Sequence, residues 1–505
     1  MFLDIIFLNN KDKSLECFKI SFFYNQNNFL TTYERVDKMN KKVILILIIF
    51  LMVTQINIGF AEDIDAIDSM IEKHIKNSNL HGIGVGIIKN NELIYKETKG
   101  IESDGDKLTS TSPLFVASLS KSMTGLAVMQ LVEKDLISLD DPIKKYISYF
   151  QVESKELSQN ITIKNLLNHQ SGLSTSTNLP DTENDASLKE RVRALSNLNA
   201  VSENGQEFHY FNDNYNILGL LIEEVTGKPY ATYMEESIFR PLGMNNTTAE
   251  FSVIRGKEVY GHKSIYGFSM QADRDIVRYD IPSGFILTNL NDMVKYLSFL
   301  IEKNPKIISD NTFNTMRTAA QNSEYGMGWY IRDINEGKVI EHSGSLPGFN
   351  AHLALIPETN SGYVYIMNQN HMFRNINGNL LKVIRGKTDF NHFPFVLVLR
   401  IIALILLLLA IKDIWSTFKL TKKQKSKDAW IKGSIKALVM AIFLFWGIPF
   451  ILTNLLNLNF SYRYVLTYTP GLAIFWFLAI AIQIIRLGIS IWKLLIKNDF
   501  TLITK

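Results

Sequence analysis

Apolar positions along the chain fall into three regimes, and each predicts a different kind of segment. The first is the uninterrupted apolar run from Val43 to Val53. Met39-Asn40-Lys41-Lys42 precedes it, and Thr54 to Ala61 descends from it to the small residues Gly59 and Ala61. A basic start, about 11 apolar residues and a small-residue end describe a secretory signal over 39–61. A spanning helix needs about 20 apolar residues, which makes an uncleaved anchor the competing reading. Residues 1–38 then stand in front of a signal, so we expect them to reflect a misassigned start, with translation beginning at Met39.

The second regime, 62–390, reads as one soluble globular unit. Leu80 to Lys89 and Glu92 to Glu97 are short β-type runs, and the Asn90-Asn91 pair between them signals a hairpin. Beyond Ser118, apolar residues recur at helical spacing (Met123, Leu126, Ala127, Leu131), predicting a long helix that ends near Lys134-Asp135. Helical stretches and loops rich in Asn, Ser and Thr fill 140–320. Four β-type runs follow, at Tyr325 to Arg332, Lys338 to His342, Ala351 to Ile356 and Tyr363 to Asn368. Strands near both ends with helices between them predict an α+β domain whose sheet is closed by both termini.

The third regime is the tail, 391–505. Phe393 to Ile411, Ile435 to Leu456 and Gly471 to Leu495 are apolar stretches of about 19–25 residues, long enough to span a bilayer core. Arg400 and Arg486 interrupt two of them. The loop after the first carries Lys412, Lys419, Lys422, Lys423, Lys425, Lys427 and Lys432, which predicts a cytoplasmic location. The loop after the second carries Arg463 with Tyr462, Tyr464 and Tyr468 as an interfacial belt. Signal and loop charges therefore agree on a multi-pass membrane protein with its globular domain outside the cytoplasm. The membrane lipid is its expected partner.

Composition narrows the chemistry. A net charge of +4 over 505 residues, without a basic stripe interleaved with aromatics, argues against nucleic acid. The lone cysteine, Cys17, rules out an internal disulfide framework and a cysteine-built zinc site. It also lies upstream of the expected start.

Three short motifs carry chemistry. In Ser118-Leu119-Ser120-Lys121 the serine sits near a helix N-terminus. Residues three apart share a helix face, so the Lys121 amine reaches the Ser118 hydroxyl. A lysine held among apolar groups loses proton affinity and can act as a base. The same tetrad recurs at Ser416–Lys419 and Ser490–Lys493, where no catalysis is expected, so context separates the first copy. Tyr210-Phe211-Asn212 offers a phenol that can take the serine proton or protonate a leaving group. Its ordinary pKa near 10 needs a neighbouring cation such as Lys121 to lower it. Asn212 can hydrogen-bond the lysine and a substrate amide. His342-Ser343-Gly344 ends an alternating run. A strand there presents its backbone to substrate, with the Ser345 N–H as an oxyanion donor beside that of Ser118. Gly344 lets substrate approach the strand closely. His169 and His209 are further histidines, but no metal-binding spacing appears, and the chemistry calls for no metal or cofactor.

In this order, the motifs resemble those of the penicillin-recognising serine hydrolases close to class C β-lactamases, a family that includes D-alanyl-D-alanine carboxypeptidases, D-aminopeptidases and esterases. The resemblance extends over Phe115 to Gly125, Leu139 to Pro142, Ile161 to Leu173, Phe208 to Gly219, Pro241 to Met244, Tyr325 to Trp329 and His342 to Phe349. It implies a β-lactamase/transpeptidase-like antiparallel sheet flanked by helices, with an all-helical region beside it and the site between them. It further implies Ser118 as nucleophile, Lys121 and Tyr210 as proton-transfer groups, and Asn212 as a contact of substrate and lysine. His342 stands where many relatives carry the lysine of Lys-Thr-Gly. Class A enzymes carry Ser-Asp-Asn and Lys-Thr-Gly; Tyr-Phe-Asn and His-Ser-Gly here mean that the separate deacylating glutamate does not transfer. The expected function is an exported, membrane-anchored serine acyl hydrolase acting on a cell-wall-type peptide or ester. The alternatives are a sensor acylated at Ser118 without turnover, or a true β-lactamase, which the histidine disfavours. A transporter fits less well, because three helices without internal repeats are thin for a pathway.

Overall fold

The computed structural model describes residues 64–391, apart from 103–104, 258, 266–267, 273–274, 335–336 and 371–374. It also describes three strands upstream and helical positions within 397–492. The upstream strands, Leu3–Phe7, Phe18–Phe23 and Phe29–Thr32, form an antiparallel sheet in a unit of its own, Met1–Phe60. The expected signal at 39–61 lies outside the described residues, as does most of the three apolar stretches of the tail. Among the described residues no helix is long and apolar enough to cross a membrane.

Helix α1 (Ile64–Ser78) leads into strands β1 (Gly82–Lys89) and β2 (Glu92–Gly100). Asn90 and Asn91 join the strands with φ of +53° and +67°, a two-residue turn whose left-handed conformations asparagine tolerates. The long helix expected after Ser118 is α2 (Ser120–Glu133). It is buried on every side from Ser120 to Leu131, polar side chains included, because it runs through the core. Helix α3 (Asn212–Thr226) follows, then α4 (Leu290–Glu302) and α5 (Asp310–Met316). The chain returns to the sheet as β3 (Tyr330–Ile334), β4 (Gly337–Leu346), β5 (Phe349–Ile356) and β6 (Ser361–Met367), and α6 (Asn375–Ile384) closes the domain.

The six strands lie in the order β3-β4-β5-β6-β1-β2, antiparallel throughout, so the first and last segments of the domain meet at the sheet's centre. One face packs on α4, in the main core to which α2 and α3 also belong. The other is covered by α1 and α6 through Ile67, Met70, Ile71, Leu380 and Val383. Central strands covered on both sides bury nearly every residue, which is why β1 reads as a continuous apolar run with glycines. A Cβ at Gly86 would come within 2.4 Å of Val294 Cγ2, so glycine lets α4 lie directly on β1.

Two strand expectations shift. The run expected from Tyr325 becomes a strand only at Tyr330. Tyr325 to Trp329 is a tight loop in which Gly328 has φ +91°, and a Cβ there would meet the Lys121 carbonyl at 2.9 Å. Gly328 thus lets this loop's backbone lie directly on α2. Strand β4 runs past His342 to Leu346, because β5 pairs with it along that whole length.

Candidate active site

From Leu114 to Leu131 every residue is buried except Ser118. The backbone explains the exception. Ala117 takes φ +50°, a left-handed conformation that costs an L-residue roughly 1–2 kcal/mol. The short turn Ala117–Leu119 then feeds α2 and turns the Ser118 side chain out of the core. Strand β4 lies against this turn at Gly344, where a Cβ would sit 2.1 Å from the Val116 carbonyl oxygen, 2.9 Å from Ala117 Cβ and 3.1 Å from the Ser118 nitrogen. Only glycine allows that approach.

Lys121, one turn along α2, is fully buried. Its Nζ donates to Ser118 Oγ at 3.2 Å and to the Ser283 carbonyl oxygen at 2.6 Å. Burial brings the amine down to about 7, against the opposing pull of the Asp280 carboxylate. Asp280 is itself pushed up to about 6, by burial first and the Asp213 charge second, with the Asn216 amide bonding Oδ1 at 2.7 Å. Near neutral pH a substantial share of Lys121 is therefore uncharged.

Tyr210 closes the other side. Its ring lies 4.9 Å from Lys121 Nζ, and its hydroxyl is hydrogen-bonded with Ser118. Burial raises the phenol well above its ordinary value and outweighs that hydrogen bond. The sequence pattern suggested that the lysine charge would lower Tyr210. Instead, desolvation of the ring decides, so the phenol stays protonated and Lys121 is the group able to accept a proton.

Asn212 departs further from expectation. It is the first residue of α3, exposed, and makes no hydrogen bond to Lys121 among the described residues. The next residue, Asp213, pins the start of α3 through a buried two-pronged pair with Arg191, at 2.9 and 2.8 Å.

His342 is buried on β4. Its Nδ1 lies 2.8 Å from the Ser343 carbonyl, an acceptor, so Nδ1 carries the proton. Its Nε2 lies 3.1 Å from the Tyr325 hydroxyl. Strand β3 pairs with β4 only as far as Glu341. Among the described residues the β3-side edge of His342 to Leu346, including Gly344 and Ser345, therefore has no strand beside it. A cavity of about 450 Å³ lies at the His342 end of that edge, lined by Tyr210, Tyr330, Arg332, Glu341, His342, Ser343, His352 and Asn377; Ser118, Gly344 and Ser345 are not among its lining residues.

Some neighbours were not marked by sequence reasoning. His169 is fully buried, with its ring 4.4 Å from that of Tyr210. Its Nδ1 accepts from the Phe211 N–H and the Asn214 amide, both at 3.2 Å, and burial first, with the Lys121 charge next, holds it well below its ordinary pKa. The stretch Ile161 to Leu173 was legible as a motif, but this packing role was not. Behind Ser343, His352 Nδ1 lies 2.9 Å from Ser343 Oγ and its Nε2 3.2 Å from Glu341, which Arg332 also holds at 2.7 Å. Nothing in the local sequence signals the Ser283 carbonyl.

Comparisons with known proteins agree with this geometry. The family described as Beta-lactamase matches residues 67–383. Protein flp of Staphylococcus aureus (strain MW2) is 28% identical over 320 residues, 60% of this chain and 63% of that protein. The chain thus spans a little under two thirds of that relative's length. PbpX of Bacillus subtilis (strain 168), named as a penicillin-binding protein, is 30% identical over 301 residues, 57% of this chain and 71% of PbpX. Among solved structures, the octameric penicillin-binding protein homologue from Pyrococcus abyssi aligns with a TM-score of 0.57 at 26% identity, covering 66% of this chain and 80% of that one. On fold, motif order and sequence, the chain belongs to the beta-lactamase family of serine hydrolases.

Proposed function

We propose that the chain is an exported, membrane-anchored serine acyl hydrolase that acts outside the cytoplasm on an amide or ester of the cell wall. The observation that carries this reading is the contact of half-exposed Ser118 with a fully buried lysine brought to about 7. Uncharged Lys121 takes the Ser118 hydroxyl proton as Oγ bonds to the substrate carbonyl carbon. The Ser118 and Ser345 N–H groups hold the oxygen that gains negative charge. Tyr210 gives its proton to the departing oxygen or nitrogen as the old bond breaks, and the Lys121 ammonium then returns a proton to Tyr210. Water attacks the acyl ester, releases the acid and restores Ser118.

The substrate edge favours esters and amides without a carboxylate beside the scissile bond. His342 stands where a lysine would supply a fixed positive charge, and both its ring nitrogens already have hydrogen-bond partners in the fold. The signal pattern at 39–61 and the lysine-rich loop after 411 support the outward location, and the apolar stretches of the tail support anchoring.

The test is the intact mass of the full chain, purified in detergent, after mixing with p-nitrophenyl acetate or a penicillin. An acetyl adduct that forms and decays, absent in Ser118→Ala, is the expected result, with the penicillin reacting more slowly. Turnover retained in Ser118→Ala at equal protein levels would refute the assignment.

A further inference from the structure

At the far end of β4 from Gly344, a second cavity of about 330 Å³ lies between α4, α5 and the ends of β4, β5 and β6. Lys338 is six residues from Gly344, or roughly 20 Å along a strand, so this cavity is separate from the Ser118 site. Its charged lining is cationic, Arg317, Lys303 and Lys338, set among the neutral Asn314, Thr318, Asn360 and Ser361. Ile301, Leu355 and Pro357 supply apolar wall. Among the described residues none of the three cations is paired with a carboxylate. The nearby Glu358 accepts the backbone N–H of Lys338 at 3.0 Å.

Arg317 is the unusual member. One guanidinium nitrogen donates to the Leu300 carbonyl at 2.8 Å, in the last turn of α4, and the Phe313 ring lies 3.8 Å from its central carbon. The helix C-terminus and the ring each offset part of its charge. Its Nε, however, is out of contact with solvent and has no hydrogen-bond partner. Burial without a counter-ion pulls the guanidinium down to about 9. Arg317 is half-buried at the cavity wall with no carboxylate beside it among the described residues, and a partly desolvated cation is stabilised when an anion completes it.

We propose that this cavity binds an organic anion, a carboxylate or phosphate monoester with a short apolar body. The head meets Arg317, Lys303 and Lys338, and the body lies against Ile301, Leu355 and Pro357. The volume is at the small end of ligand pockets, which suits a compact amphiphile rather than a long chain.

Thermal unfolding of the full chain, followed by tryptophan fluorescence at constant ionic strength, tests the proposal with hexanoate, hexyl phosphate and inorganic phosphate as probes. The expected result is a saturable rise in Tm with hexanoate or hexyl phosphate, and an apparent affinity at least tenfold weaker in Arg317→Gln. The double variant Lys303→Gln/Lys338→Gln, which changes no fully buried side chain, carries the test if Arg317→Gln does not fold. No saturable shift with either amphiphile, or an equal shift in the variants, overturns the site. An inorganic phosphate response as strong as that of hexyl phosphate overturns the apolar body.

Discussion

Replacing Lys121 with methionine separates the cost of its charge from the shape of its side chain. The amine's proton affinity falls from the ordinary 10.5 to about 7 in the fold. At about 1.36 kcal/mol for each tenfold change, keeping the proton in the folded state costs about 5 kcal/mol relative to the unfolded chain. The sign follows from proton counting. Between about 7 and 10.5 the unfolded chain binds the proton and the folded chain does not, so this lysine's penalty shrinks as pH rises. Below about 7 both states hold the proton and the penalty is complete. Between pH 6.5 and 9 the stability of the parent should therefore rise by about 2–3 kcal/mol relative to Lys121→Met. Staying at or above pH 6.5 keeps Asp280, at about 6, largely out of the comparison. Urea unfolding of both proteins at the two pH values measures the double difference. In the parent, the rate of Ser118 acylation should climb over the same interval with a midpoint near 7. A double difference under about 1 kcal/mol, together with a flat acylation profile, would show that Lys121 is not the buried base described here.

Two further predictions concern the frame around the nucleophile. Gly344→Ala forces β4 away from the Ser118 turn by about 1 Å to relieve the 2.1 Å approach to Val116. A shift of that size should lower kcat/KM about 100-fold with a stability loss of about 1–3 kcal/mol, read by ester hydrolysis and urea unfolding. Wild-type activity in that variant would mean the strand is not held as described. Asp213→Ala strips Arg191 of its buried partner, and both side chains are nearly inaccessible. It should destabilise by about 3–5 kcal/mol, whereas replacing the pair together with apolar residues should cost less.

The sequence by itself determined the chemistry's cast and much of the local structure. Ser118 and Lys121 meet because a helix places residues three apart on one face. The Asn90-Asn91 hairpin follows from two residues that accept positive φ. Gly344 was read as a place for substrate to come close, whereas its missing Cβ is taken up by the Val116–Ser118 turn. The extent of α2 followed from the apolar recurrence after Ser118. These are local rules, which act over a turn or two of chain.

Only the tertiary structure decided how strongly each group holds its proton and which groups meet. Tyr210 keeps its proton because packing against His169 and its neighbours strips solvent from the ring, and no local pattern encodes that. The Ser283 carbonyl reaches Lys121 across 162 positions of sequence. Asn212 opens to solvent because Asp213 and Arg191 anchor the start of α3. Tyr325 to Trp329, strand-like in composition, is a loop whose Gly328 lies against α2 and whose Gly326 lies against the end of α5. That both ends of the domain share a sheet was legible in the sequence, but the pairing of β6 with β1 inside it is a long-range outcome. Desolvation and close packing depend on what surrounds a residue in space, and a one-dimensional pattern records only what lies beside it along the chain.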